Sequence, residues 1–153
     1  MIHLKDMSQS EYKKYFANAI KAYAKEKIKA GVWEENSAIK NAEKEYKKLL
    51  PNGLNTPDAY LYSIYNSDFQ VGYIWFSNVK DNQELVFIYD FGIFAEFQDQ
   101  GIGTKALELA ENEARKLGFN KIGLHAFGSN SRAIHVYKKS GFEITDVSMQ
   151  KIL

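Results

Sequence analysis

The segment Gln98-Asp99-Gln100-Gly101-Ile102-Gly103-Thr104 stands where a long apolar run gives way to an amphipathic helical pattern, and its reading decides the rest of the chain. Glycines at a strand-to-helix turn let the backbone bend tightly and let a ligand approach it closely. The unpaired amides and positive dipole end of the following helix attract an anion, so the turn is built as a phosphate cradle. Two glycines also serve an ordinary strand-to-helix turn, and what flanks them has to decide.

Upstream, Glu84 to Phe94 is nearly continuous in apolar character through Leu85, Val86, Phe87, Ile88, Phe91 and Ile93, interrupted only by Tyr89, Asp90 and Gly92. That pattern predicts a central strand covered on both faces. Ala59 to Tyr65 and Gln70 to Phe76 read as two further strands, rich in aromatic and β-branched residues. The short connections Asn66-Ser67-Asp68 and Val79 to Gln83 join the three into an antiparallel meander. Downstream, a helix from about Gly101 to Leu117 buries Ile102, Ala106, Leu109, Ala110, Glu113 and Leu117 and is closed by Gly118. A short strand, Lys121 to Phe127, follows, then a helix from Asn130 to Ser140 that stops at Gly141. Phe142 to Leu153 supplies one or two final strand segments, which can pair across a homodimer.

The first third is mostly helical. From Glu11 to Ala30 the apolar positions Tyr12, Tyr15, Phe16, Ala19, Ile20, Tyr23 and Ala24 step by three and four, with Ser8 and Glu11 as a capping box and Gly31 as the stop. A second helix carries Ile39, Ala42, Tyr46 and Leu49 on one stripe and ends at Pro51-Asn52-Gly53. The lysines between Lys13 and Lys29 sit mainly off the apolar stripe and form a solvated face. The order of a short strand, two helices, three strands, then helix, strand, helix and strand predicts one α/β (α+β) domain over residues 1–153. Its mixed, mostly antiparallel sheet carries helices on both faces.

Composition narrows the chemistry. At 153 residues and 45% hydrophobic content the chain can fill one core, which excludes a disordered or low-complexity protein. Twenty basic and nineteen acidic residues leave a net charge of +1, no field that would draw the protein onto nucleic acid or anionic lipid. Without cysteine there is no disulfide, thiol nucleophile or thiolate metal site, and His3, His125 and His135 are too scattered to suggest a zinc set. No run approaches the roughly 18 apolar residues of a spanning helix. Met1 to Asp6 lacks the layout of a signal peptide, so a cytoplasmic protein is expected.

Two cofactor readings compete for the glycine turn. Gly101-Ile102-Gly103-Thr104-Lys105-Ala106 fits G-x-G-x-x-A, the dinucleotide fingerprint of an oxidoreductase. That fingerprint belongs to the first strand of a doubly wound sheet, yet here it falls two-thirds along the chain. Where an acidic residue should follow to hold a ribose, the sequence reads Lys121-Ile122-Gly123-Leu124-His125. In the other reading, Gln98, Gly101 and Gly103 are in register with Q/R-x-x-G-x-G/A. Asn130, Ala133, Tyr137, Gly141 and Phe142 match N-x-x-A-x-x-x-Y-x-x-x-G-F, and Ile88 to Ile93 stand as the strand before the turn. Together these resemble the motifs of the GNAT superfamily of N-acetyltransferases, over roughly Leu85 to Phe142, and the preceding element order is also that family's.

The resemblance implies acetyl coenzyme A as co-substrate, lying along the fourth strand. Backbone amides of Gln98, Asp99, Gln100, Gly101, Ile102, Gly103 and Thr104 would hold its pyrophosphate, and the backbone of Ile93 and Phe94 would pair with the pantetheine arm. Asp99, a negative side chain beside an anion site, should point outward. Asn130, Ala133 and Tyr137 share one helix face, where a small residue between two polar ones lets a narrow arm pass. The implied reaction is direct attack of a primary amine on the thioester. The amine, with an unperturbed pKa of about 10.4, must lose a proton first. The Phe91 amide would meet the oxyanion and Tyr137 would protonate the departing thiolate. Some family members place a glutamate base earlier on the strand, but Val86, Phe87 and Ile88 stand there, which leaves Asp90 as base with Tyr89 and His125 as rivals. His125 otherwise reads as a core histidine and His135 as exposed. Tyr60, Tyr62, Tyr65, Trp75 and Phe76 are candidates for an acceptor pocket, though strand packing accounts for most of them. A non-catalytic coenzyme A-binding sensor or scaffold is the alternative from another class.

Overall fold

In the computed structural model, which describes residues 1–153, the chain runs β1 (Ile2–Asp6), α1 (Gln9–Lys29), α2 (Ala38–Leu49), β2 (Ala59–Asn66), β3 (Phe69–Val79), β4 (Asn82–Ile93), α3 (Ile102–Lys116), β5 (Lys121–Leu124) and α4 (Ser131–Lys139). The strands form one sheet in the order β1-β2-β3-β4-β5, antiparallel throughout except for the parallel pair β4–β5. A doubly wound sheet, which the dinucleotide reading requires, is not what this order builds. No helix is long and apolar enough to cross a membrane.

Alternation along β3 sorts the core into two layers. Ile74 and Phe76 face α3, where they join Ile64, Val71, Val86, Ile88, Leu107 and Ala110 in the largest apolar cluster. Trp75 turns to the other face and packs with Met7, Tyr15, Ala19, Leu50 and Leu61 beneath α1. Each fully buried Ile, Val or Phe stabilises the fold by about 1.5–3 kcal/mol relative to an exposed one. The start of α1 is set locally: the Glu11 amide donates to Ser8 Oγ at 3.2 Å and the Ser8 amide to Glu11 Oε1 at 2.8 Å, the expected capping box.

Several expectations need correction. The buried face of α3 is Ile102, Ala106, Leu107, Ala110 and Ala114; Leu109 and Glu113 are only half-buried, and Leu117, beyond the last helical turn, is exposed. The inner stripe runs through Ile102, Leu107 and three alanines, so Leu109 and Glu113 fall on its flank. In α2 the contact is made by Ala38 and Ala42, while Ile39 and Leu49 face solvent. β4 is covered mainly on the α3 face, through Val86 and Ile88, whereas Tyr89 on the other face is 40% exposed. β5 ends at Leu124 instead of Phe127.

The final strand does not form. Phe142 packs on Tyr137 and donates its amide to the Tyr137 carbonyl at 3.0 Å, but from Glu143 on every residue is exposed and none makes a backbone hydrogen bond. Apolar alternation alone does not make a strand: this segment takes no ladder partner, although β5 leaves its outer edge unpaired.

Candidate active site

The site begins with a one-residue irregularity in β4. Ile88 pairs with Phe76 but Asp90 pairs with Trp75, so Tyr89 is an extra residue in the ladder. Such a bulge puts two consecutive side chains on one face. Tyr89 stacks on the Trp75 indole with ring centres 4.9 Å apart, and Asp90 reaches the α1 side, where Tyr15 Oη donates to its Oδ2 at 2.7 Å. After the bulge Phe91 and Ile93 return to the α3 face.

The bulge falls where β4 and β5 part. Their pairing covers only Leu85 to Ile88 of β4, while β4 continues to Ile93, so from Tyr89 onward its β5-side edge has no strand partner. This open edge faces a groove of about 450 Å³ between the start of α3 and α4. α3 starts at Gly101, whose φ of +76° is a left-handed conformation that glycine adopts without strain. With no side-chain cap at that end, the amides of Ile102, Gly103 and Thr104 precede the first intrahelical bond, from Lys105 to the Gly101 carbonyl, and remain free for an anion. A Cβ on Gly103 would lie 3.7 Å from the Phe91 ring, so the space over this turn belongs to the groove.

Most predicted cofactor-side residues meet here. Phe91, Ile93, Gln98, Asp99, Gly101, Ile102, Gly103, Thr104, Asn130, Ala133 and Tyr137 all line the groove. Their individual tasks differ from the expectation in places. Gln98 Nε2 donates to the Ile93 carbonyl at 2.9 Å, bracing the end of β4 and occupying one acceptor position there. Gln100 is turned away, onto the Glu96 carbonyl. Phe94 lies on the opposite side, against Tyr73. Asn130 caps α4 by accepting the Ala133 amide at 3.2 Å. Asp99 is exposed as expected, yet it pairs with Arg132 Nη2 at 2.6 Å across the mouth. Arg132, a cation beside the anion cradle, was hidden in the sequence as an unassigned position of the α4 motif.

On the α1 and α2 side lies a larger cavity of about 900 Å³, with Tyr15, Tyr73, Trp75, Tyr89, Asp90 and Phe91 near the sheet and Tyr23, Glu26, Glu45 and Tyr46 on the helices. Of the aromatic residues proposed for an acceptor pocket, Trp75 alone lines it. Tyr60 and Tyr62 pack on Phe76 at the α3 face, and Tyr65 Oη donates to Glu11. Tyr73 and Phe91 border both spaces. Tyr73 was not singled out from sequence; its parity with Trp75 and its register opposite Gly92 are the signals that could have found it. A Cβ on Gly92 would come within 2.6 Å of Tyr73 Oη, so the missing side chain is what lets the phenol lie over the strand. His125 is exposed, edge-on to Phe127 at the cavity rim, instead of buried in the core, because β5 ends before it.

The electrostatics suit proton transfer. Burial pushes the Asp90 carboxyl above the usual carboxylate range, although the Tyr15 hydroxyl that donates to it and the nearby Phe91 backbone pull the other way. Burial and then the charge of Asp90 raise Tyr137 and, more strongly, Tyr73, so both phenols stay protonated at neutral pH.

The β4–β5 fork thus stands above a glycine-started helix with a titratable group on each side, Asp90 towards the cavity and Tyr137 in the groove. The profile of the acetyltransferase (GNAT) family matches residues 17–142. Among relatives, the Bacillus subtilis (strain 168) N-acetyltransferases YdgE and YycN are 31% and 36% identical over 98% and 99% of this chain, covering 97% and 99% of their own lengths. The crystal structure of YycN superposes with a TM-score of 0.91 at 35% identity, over 100% of this chain and 99% of that one. PaiA N-acetyltransferase from Thermoplasma acidophilum, solved in complex with coenzyme A, shares the fold at a TM-score of 0.71 and 19% identity, over 97% of this chain and 93% of that one. The chain belongs to the GNAT family of acetyltransferases, enzymes that use acetyl coenzyme A.

Proposed function

We propose that this enzyme transfers an acetyl group from acetyl coenzyme A to a primary amine by direct attack, with Tyr137 as general acid. The observation that carries the reading is the open β4 edge at Phe91, which borders the anion cradle on one side and the Asp90 cavity on the other. Acetyl coenzyme A supplies the thioester and its thiolate leaving group. The free amides of Ile102, Gly103 and Thr104 suit its pyrophosphate, and the unpaired edge approaching Ile93 suits the amide-rich arm. The fold shared with the PaiA complex supports this placement.

On the acceptor side Asp90, raised by burial, takes the ammonium proton directly or through water. The amine nitrogen then bonds to the thioester carbonyl carbon, and the oxyanion is met by the Phe91 amide on β4. As the tetrahedral centre collapses, the C–S bond breaks and the Tyr137 phenol gives its proton to the departing sulfur. The acylated nitrogen sheds its remaining extra proton to water, so the products are the N-acetyl amine and the free thiol; Asp90 returns its proton to solvent and the Tyr137 phenol is reprotonated from it.

Tyr137→Phe tests the assignment. Coenzyme A thiol release should fall by about 10²-fold or more, while calorimetric affinity for acetyl coenzyme A stays within a factor of about two. Unchanged turnover removes Tyr137 as the acid. Thermal stabilisation by acetyl coenzyme A and not by NAD is expected in a side-by-side melt, and a response to NAD alone would sink the transfer reading.

A further inference from the structure

The larger cavity carries an unequal set of charges. Glu11, Glu26, Glu45 and Asp90 line it against only Lys14 and Lys27, in a chain whose net charge is +1. Three of the carboxylates are already answered by phenols: Glu11 by Tyr65 at 2.6 Å, Glu45 by Tyr23 at 2.6 Å and Asp90 by Tyr15 at 2.7 Å. The Glu26 carboxylate makes no hydrogen bond and no ion pair. Its charge nevertheless reaches across the cavity, adding to the upward shift of Tyr23, Tyr46, Tyr73 and Asp90. Between Glu26 and Asp90 runs an aromatic wall: Tyr23 against Tyr46 at 5.6 Å, Tyr46 against Trp75 at 5.9 Å, and Trp75 against Tyr89 at 4.9 Å. The chain's own Lys27 shows what such a rim accepts, since its ammonium lies 5.5 Å from the Tyr23 ring and 5.7 Å from the Trp33 ring.

We infer that the acceptor is an aliphatic diamine, or a longer amine with a second cationic group, whose far ammonium is held by Glu26 and the Tyr23–Tyr46 wall while its near amine reaches Asp90. The inference rests on the transfer reading above and names the substrate class of that site. A cation at Glu26 answers the one lining carboxylate that has no partner, and the aromatic wall between the two carboxylates covers a methylene stem. A monoamine of the same length would leave Glu26 unanswered, and a free amino acid would set its carboxylate among four others.

Calorimetry on the full chain with coenzyme A bound, titrated with an α,ω-diaminoalkane and with the alkylamine of equal length, tests the inference without relying on turnover. The diamine should bind about tenfold tighter or more, as expected of one charge-assisted contact, and the advantage should shrink at high salt. Glu26→Gln, at an exposed helix position where the variant keeps its fold, should bring the two affinities within about twofold. Equal binding by the native chain, a preference untouched by Glu26→Gln, or tighter binding of a peptide N-terminus without a second cation would each overturn it. Thiol release from acetyl coenzyme A is measured in parallel with both amines. Release without a diamine preference overturns the inference and leaves the transfer reading standing; diamine binding with no release removes the transfer reading, and with it the diamine's role as acceptor.

Discussion

Asp90 is held where ionising it is costly, and that cost has a sign that can be measured. Its folded pKa lies above the unfolded value, so the native state binds more protons than the unfolded chain across that window. Stability contributed by the protonated group is full below the unfolded pKa and is lost as pH rises through the folded one. Asp90→Asn, which keeps an acceptor for the Tyr15 hydroxyl, should therefore raise Tm relative to the native chain at pH 8 and show little difference at pH 3, in paired thermal melts. Turnover should fall by about 10²-fold, the contribution of a positioned base. At the neighbouring Gly92, Gly92→Ala drives a methyl into the Tyr73 phenol, whose ring must leave its seat over the strand. Overpacking of this kind costs about 1–3 kcal/mol, readable as a lower urea midpoint, and should slow turnover as well.

The start of α3 separates what the backbone needs from what a ligand needs. Gly101→Ala places a side chain in a left-handed conformation at a position with open space around it, so its cost is the conformational one, about 1–2 kcal/mol. Arg132→Gln leaves helix and cradle intact but removes the one cation that pairs with Asp99 at the groove mouth. Affinity for acetyl coenzyme A should drop severalfold in titrations at low salt and converge with the native value at high salt. This element also shows what could be read beforehand. Caps, glycine stops and the spacing of Asn130, Ala133 and Tyr137 are short-range features, and they located α1, α3, α4 and the residues that line the groove. The bulge at Tyr89 is different in kind. Within a nearly continuous apolar run a single extra residue leaves no trace in the pattern, yet it reverses the parity of everything after it. That reversal puts Asp90 on the α1 face and seats Tyr73 over Gly92, and no alternation rule applied to β4 alone could supply it. Phe142 to Leu153 shows the converse: the apolar pattern is present, but the segment makes no ladder with the free edge of β5.

Across the whole molecule the sheet divides two layers, with α1 and α2 on one side and α3 with α4 on the other, and the two spaces described above touch only beside Tyr73 and Phe91. The larger cavity, proposed above to take the acceptor, draws its outer walls from α1 and α2, which share no residue with the glycine-turn and α4 motifs, so substitutions on those helices should change which amine reacts without changing affinity for the acyl donor. A chain lacking cysteine also offers no thiol at the seam to carry the acetyl group between them. The geometry of two mouths has a kinetic consequence. With the donor in the groove and the acceptor in the cavity, as proposed above, each would come and go while the other stays in place, so neither would have to arrive first. Initial-rate lines at varied concentrations of both should intersect, not run parallel, and each product should inhibit competitively only against the reactant that shares its doorway.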